Sequence, residues 1–163
     1  MTNQLAGEDL ETWSALASLL EWLPPALDAQ LQQDSDLTHF EYGILFALAD
    51  APERTLRMSV LAGFANSSLS RLSRAASRLE ARGWLSRRPD PSDGRSTLAT
   101  LTNDGLARFE LATPGHVNNV HRLVLDTLSP AQSRQLREIS RRIMGAIRDD
   151  EGWWPSPGAS LAE

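Results

Sequence analysis

Arginine is the residue type in this chain whose spacing suggests chemistry. Through Glu53 the sequence holds ten carboxylates and no arginine or lysine; nine arginines then fall between Arg54 and Arg95, against Glu80, Asp90 and Asp93. That segment carries a local charge of +6 in a protein whose net charge is −5. Such a field is suited to an anionic partner. Lysine is absent, so all sixteen cations are guanidinium groups, whose planar fork matches phosphates and base edges. At about 100° per residue, Arg71, Arg74, Arg78 and Arg82 form one stripe roughly 80° wide, while Leu69, Leu72, Ala76 and Leu79 gather on another face. The spacing predicts a helix anchored by its leucines, with its arginines outward. Ser67, Ser68 and Ser70 stand at the start of the stripe, where short hydroxyls and helix amides let the backbone approach phosphates or base edges. Arg87, Arg88 and Arg95 follow in a hairpin pattern. Arg95 is expected at the hairpin tip, where a guanidinium can enter a narrow minor groove. Asp93 reads as a brace that orients Arg95 by a charge-assisted hydrogen bond, or more plainly as the residue that initiates the turn.

The elements that must position these groups are legible around them. Met58 to Phe64 reads as a short helix, with a linker at Ala65 and Asn66 leading into the longer arginine helix, which stops at Gly83 in a left-handed cap. Trp84 to Arg88 and Ser96 to Leu101 read as two strands joined by the turn-rich loop Pro89 to Arg95. Short helix, longer helix and wing make a winged helix-turn-helix, whose second helix can enter a major groove. Upstream, Leu10, Trp13, Leu16, Ala17, Leu20 and Leu23 recur at helical spacing, and Pro24-Pro25 predicts a kink or restart. Thr38-His39-Phe40-Glu41 is a capping box opening a helix to about Ala49. Downstream, Thr102 caps a helix through Leu111, which Pro114-Gly115 should kink before it continues to Leu128. Ser129-Pro130-Ala131-Gln132 is a second capping box, with Leu136, Ile139, Ile143 and Ile147 on the buried face of the last helix. The fold class expected is mainly α with a small β-wing, in one domain over residues 1–163.

Other classes are poorly supported. With no cysteine there is no disulfide, thiolate metal site or thiol switch. No apolar run reaches the roughly 20 residues of a membrane span, and the acidic start is no signal peptide, so a cytoplasmic protein is expected. His116 and His121 fall about 140° apart on a helix, a poor metal pair, and no H-E-x-x-H, P-loop, G-x-G-x-x-G or G-x-S-x-G motif occurs. Neither a catalytic residue, a metal site nor a cofactor is expected.

The runs Ser67-Ser68-Leu69-Ser70-Arg71-Leu72-Ser73-Arg74, Arg78-Leu79-Glu80-Ala81-Arg82-Gly83-Trp84, Asp90-Pro91-Ser92-Asp93-Gly94-Arg95 and Leu101-Thr102-Asn103-Asp104-Gly105 together resemble the MarR family of multiple-antibiotic-resistance regulators. They occur in order at the family's spacing; the likeness is strong from about Thr38 to Gly105 and rests on pattern alone in the flanking helices. The resemblance implies a homodimeric transcription factor, usually a repressor, with a DNA-binding lobe at 38–105 and dimerisation helices at 1–35 and 106–150; residues 151–163 read by pattern as a flexible tail. Two recognition helices would enter successive major grooves of a palindrome. The arginine matching Arg95 would contact the minor groove, supported by the acid matching Asp93. The resemblance also implies an effector crevice taking small, often aromatic or phenolic anions, for which Trp22, His39 and Tyr42 are this chain's candidates. Independently, the terminal helices carry more apolar surface than a small winged helix covers, which permits a dimer; the alternative is one compact intrachain core. The rival partner for the arginine field is an acidic protein, and the salt dependence of binding separates it from DNA.

Overall fold

The computed structural model describes residues 4–147. The expected tail at 151–163 lies outside the described residues. The order is α1 (Gly7–Ser35), α2 (His39–Asp50), β1 (Thr55–Arg57), α3 (Met58–Phe64), α4 (Leu69–Ala81), β2 (Leu85–Asp90), β3 (Asp93–Leu101), α5 (Asn103–Leu123) and α6 (Pro130–Ile147), with single 3₁₀ turns at Pro52–Arg54 and Leu125–Thr127. The chain is mainly helical with one small sheet.

The central element is α2, because its sequence is apolar on nearly every side: Tyr42, Ile44, Leu45, Ala47 and Leu48 are all buried. Its start is fixed by the capping box, in which Thr38 Oγ1 accepts from the Glu41 amide at 3.0 Å and Glu41 Oε2 accepts from the Thr38 amide at 3.0 Å. Leu31 and Leu37 from the end of α1, Leu61 from α3, Leu72 and Leu79 from α4 and Leu85 from β2 close on it. Burying each such leucine is worth about 1.5–3 kcal/mol. The core therefore sits inside the winged-helix lobe, around α2.

Neither proline site ends its helix. Pro24 and Pro25 lie inside a continuous α1, and Pro114 inside a continuous α5. A proline strands the carbonyl four residues earlier, but Leu20, Glu21 and Glu110 are exposed, so water can satisfy those groups. Gly115 has a different role from breaking α5: a Cβ there would lie 3.2 Å from Gln30 Nε2, so its absence lets α1 and α5 approach closely. The helix ends at Leu123, before the expected Leu128.

The wing also departs from expectation. A third strand, β1, pairs antiparallel with β3, placing Leu56 opposite Ala99, so the sheet runs β1-β3-β2. Three residues are too few to show a period-two pattern, which hid β1. Strands β2 and β3 extend further than expected, with an irregularity at Pro89/Asp90, and Arg95 lies on β3 beyond the turn instead of at its tip. At the turn that closes the wing Arg57 bonds the buried Asp90 at 2.7 Å, while Ser92 donates its amide and hydroxyl to the same carboxylate. The Ser92 bonds first, then Arg57, hold that carboxyl below its ordinary range.

Gly83, at φ +74°, ends α4 as expected, with the Trp84 amide reaching Leu79 O at 3.0 Å and its own amide reaching Glu80 O at 2.9 Å. Thr102 caps α5 by accepting from the Gly105 amide at 3.0 Å and donates to Gly83 O at 2.7 Å. The Ser129 capping box forms. The residues beyond it behave differently from expectation. Leu136, Ile139, Ile143 and Ile147 are exposed and α6 buries none of its residues, while Leu10, Trp13 and Leu20 are exposed on α1. Among the described residues no intrachain core covers these faces.

Two stability predictions follow from this packing. A Cβ at Gly105 would collide with the Trp84 carbonyl oxygen and Leu101 Cδ1, so Gly105→Ala should lower unfolding free energy by about 1–3 kcal/mol in urea titrations; an unchanged midpoint would show that the wing–α5 junction yields. Glu41 is 3% exposed; burial raises its carboxyl's pKa, but the Thr38 amide, the Arg78 guanidinium and the Thr38 hydroxyl outweigh burial and hold it below the usual range. A depressed carboxylate contributes stability above its unfolded-state pKa and loses it as pH falls through the folded value. Glu41→Gln should therefore cost about 1–2 kcal/mol at neutral pH, Arg78 being half exposed, and should flatten the acid limb of the stability profile.

Candidate nucleic-acid interface

The turn into α4 passes through Asn66 in a left-handed conformation, φ +44°, and Ser68 then caps the helix by accepting from the Arg71 amide at 3.3 Å. Ser67 donates to Ser68 O at 3.2 Å, and the Ser68 and Ser70 hydroxyls lie 3.2 Å apart. These three serines form one small hydroxyl cluster over the first turn of α4. The buried face of the helix is Leu72, Ala75, Ala76 and Leu79. Opposite it, at about 100° per residue, stand Ser70, Arg74 and Ser77. All three are exposed.

The four-arginine outward stripe is therefore corrected. Arg78 Nε donates to Glu41 Oε1 at 2.8 Å, and Arg82 pairs with Asp36 at 3.0 Å while donating to Asp36 O at 2.6 Å. Both sit on the flank of α4 that faces α1 and α2, where the carboxylates of the acidic first third await them. Arg71, on the same flank, lies over the Phe40 ring with its guanidinium carbon 4.5 Å from the centroid. Arg74 makes only a 3.4 Å contact to Ser70 O. Asp28, Thr38, Phe40, Arg71, Arg74 and Arg78 together border a 390 Å³ cleft beside the helix.

Arg87 is likewise committed. Its guanidinium pairs with Glu80 at 2.7 Å and reaches Ser73 at 3.3 Å and Ser77 at 2.9 Å, stapling β2 to α4. The Arg87 bonds hold the Glu80 carboxyl below its ordinary range. Arg88 is exposed and Arg95 is exposed, and among the described residues neither guanidinium has an ion pair or hydrogen bond. Asp93 does not grip the Arg95 guanidinium: its oxygens accept from the Arg95 amide at 3.2 Å and the Ser96 hydroxyl at 2.8 Å, the turn-initiating role. The Ser96 bond is the first cause of that carboxyl's lowered pKa. The brace acts on the backbone that carries Arg95.

Between α3, α4 and the wing runs a 270 Å³ groove bordered by Met58, Leu69, Ser73, Arg87 and Arg95. Leu69, expected on the anchoring face, is 56% exposed at the first position of α4. The sequence reading missed it because a leucine beside Leu72 and Ala76 reads as core; only the first-turn position distinguishes it. The uncommitted surface is thus Ser67, Ser68, Ser70 and Leu69 at the helix start, with Arg71, Arg74, Arg88 and Arg95 around it.

A second cavity, of 570 Å³, opens between α2, α3 and α5. His39 and Tyr42 line it, as expected of ligand candidates, together with Phe40, Phe46, His116 and Val120. Trp22 does not: it is 80% exposed on α1, away from this lining. His116, a poor metal partner for His121 by spacing, is brought to this wall by tertiary packing alone: α5 folds back over α2 and sets its ring 4.4 Å from that of Tyr42 and 5.6 Å from that of His39. No cluster of three or more metal-ligating side chains exists among the described residues, and no described helix is long and apolar enough to cross a membrane.

Comparison with known proteins places this geometry. The sequence profile of the MarR family matches residues 35–96. The fold superimposes on the MarR family transcriptional regulator Sco3205 of Streptomyces coelicolor, solved in complex with DNA, with a TM-score of 0.86 and 39% identity, over 92% of this chain and 99% of that one. It superimposes on AbsC, a MarR family regulator of the same organism, with a TM-score of 0.85 and 30% identity, over 91% of this chain and all of that one. The transcriptional repressor MprA of Escherichia coli K12 is 29% identical over 103 residues, which is 63% of this chain but only 58% of that protein. Winged helix, wing and flanking helices all correspond, and the chain belongs to the MarR family of transcriptional regulators.

Proposed function

We propose that this protein is a homodimer that binds a palindromic duplex operator and represses transcription, with α4 in the major groove and the β2–β3 wing over the neighbouring minor groove. The observation that carries the reading is that the guanidinium groups of Arg74, Arg88 and Arg95, around a hydroxyl-lined helix start, have no ion pair among the described residues, in a lobe where Arg57, Arg78, Arg82 and Arg87 each face a carboxylate. Ser67, Ser68 and Ser70 with the first amides of α4 meet phosphates or base edges. Arg71 and Arg74 meet the backbone beside the groove, and Arg88 and Arg95 the strand next to the wing. Arg78 and Arg87 hold the reading elements in place and contribute to DNA contact through that positioning.

The dimer follows from the faces the single chain leaves uncovered. Residues 38–105 form the DNA-binding lobe; α1, the later part of α5 and α6 form the dimerisation region, with Trp13 and Leu20 meeting Ile139 and Ile143 in a shared apolar seam. The 570 Å³ crevice is the site through which a small ligand releases the operator. Alteration of α2 there reaches α4 directly, through Glu41 to Arg78 and Phe40 to Arg71.

Three outcomes are expected. On an operator selected from randomised duplexes, Arg95→Ala and Arg74→Ala should each weaken binding about tenfold, and each should flatten the log–log salt dependence by about one phosphate, with unfolding midpoints unchanged. Selection of no palindrome, or tight salt-insensitive capture of an acidic protein, would transfer the arginine face to a protein partner. Leu69, at the end of α4 that reaches base edges, fits a thymine methyl group. Replacing operator thymines one at a time with deoxyuridine should cost about threefold or more at one symmetry-related pair, and that cost should vanish in Leu69→Ala; equal costs in both proteins would remove Leu69 from readout. Ile143→Asp should convert a dimer to a monomer in light scattering and abolish operator binding, whereas a persistent dimer would place the seam elsewhere.

A further inference from the structure

Helix α6 carries charge as well as an uncovered apolar face. Arg134, Arg137, Arg141 and Arg142 stand on it against Glu138 alone, and all five side chains are exposed. Among the described residues none of these arginines has an ion pair. Helix α1 is the opposite. It holds six carboxylates and no arginine or lysine, and among the described residues Glu8, Asp9, Glu11 and Glu21 are likewise exposed and outside any ion pair.

The charges border the apolar strips. On α1 the exposed Leu10, Trp13 and Leu20 span an arc of about 80°, and Asp9 and Glu21 fall roughly 20° outside its two edges. On α6 the exposed Leu136, Ile139, Ile143, Met144 and Ile147 span about 140°, with Arg137 roughly 20° beyond one edge and Arg142 roughly 60° beyond the other. The strips also match in length. From Leu10 to Leu20 is about 15 Å of helix, and from Leu136 to Ile147 about 17 Å. Laying α6 on another α6 would set arginine edges side by side, and laying α1 on another α1 would do the same with carboxylates; like charges so placed oppose association. Only α1 on α6 joins opposite signs. Within one chain that contact is not made, since α6 buries none of its residues.

We propose that each α6 packs on the α1 of a second copy, and that opposite charges along the edges of the two strips select this pairing over both like-helix alternatives. The pairing rests on the homodimer reading above; what it adds is the force that chooses the partner helix. Exposed ion pairs contribute little net affinity, so the apolar strips supply the attraction and the charged edges supply orientation and register. A twofold axis applies each contact twice. The same edges discriminate against other chains of this fold whose terminal helices carry a different charge pattern, so that the two α4 helices on one operator come from identical copies.

The test reverses each edge separately in the full chain. One variant carries Arg137→Glu with Arg142→Glu, the other Asp9→Arg with Glu21→Arg; all four side chains are exposed, and circular dichroism confirms that both variants fold. In sedimentation at about 50 mM salt each variant's dimer should be weakened about thirtyfold or more, and at about 0.5 M salt the deficit should shrink. Mixed in equal amounts, the two variants should form a heterodimer close in affinity to the unsubstituted dimer, because every acidic edge again meets an arginine edge. A chain carrying all four substitutions should pair with itself and not with the unsubstituted chain. Weakening by only one reversal, indifference to both, or a mixture no tighter than its components would overturn the pairing while the homodimer stands. An unsubstituted chain that stays monomeric at every concentration would overturn the homodimer reading and the pairing together.

Discussion

The Glu41 carboxylate is the contact on which the arrangement of the reading helix depends. One oxygen completes the capping box that starts α2, and the other accepts from Arg78 on α4. A single buried side chain thereby sets where the central helix begins and how the recognition helix lies against it. The leucines of α4 alone would fix its depth but tolerate sliding along its axis, because apolar contact has little directionality. Ion pairs at Glu41 and Asp36, spaced one turn apart along α4 at Arg78 and Arg82, remove that freedom. The same arginines that raise the positive charge of the segment are the ones that hold it still.

This changes the meaning of the charge pattern. A segment of +6 reads as an outward field only if its arginines are unpaired, and here Arg57, Arg78, Arg82 and Arg87 each face a carboxylate within 3.0 Å. The acidic first third supplies two of those partners, Asp36 and Glu41, so the opposite charges of the two segments are in part complementary halves of one fold. What remains is a smaller, better defined set of cations around the start of α4 and along the wing. Pairing the others avoids a broad positive surface, and with it the nonspecific attraction to polyanions that such a surface brings.

Punctuation and periodicity made much of the fold readable in advance. The capping boxes at Thr38 and Ser129, the Thr102 cap and the Gly83 terminus are local chemistry, decided within four residues, and each forms where it was expected. Whether a helix restarts at Pro24-Pro25 depends on whether the stranded carbonyls can reach water, which is a tertiary property, and here α1 runs on. Strand β1 was too short to show a pattern, and the exposure of Leu69 could not be separated from that of its buried neighbours by spacing. At the candidate site, helical angles identified an arginine stripe correctly but could not say which direction it faced: the position of the acids on α1 and α2 settles that. The His39, Tyr42 and His116 grouping joins residues more than seventy positions apart and needs the packing of α5 over α2 to exist.

The helix α5 links the two halves of the molecule mechanically. Its first turn is locked to the wing, where Gly105 sits against Trp84 O and Thr102 bonds Gly83 O. Its middle is pressed against α1 at Gly115, and its later residues His116, Val117 and Val120 form a wall of the crevice. A ligand inserted between α2 and α5 therefore acts at the boundary between the DNA-binding lobe and the proposed dimerisation helices. The Glu41 and Arg87 contacts tie the lobe internally, so under the proposed function a displacement there would move the lobe as a unit. In the proposed twofold assembly such a movement would be doubled across the axis, so that a small change in the crevice would alter the separation of the two copies of α4, whose spacing would have to match the turn of the duplex.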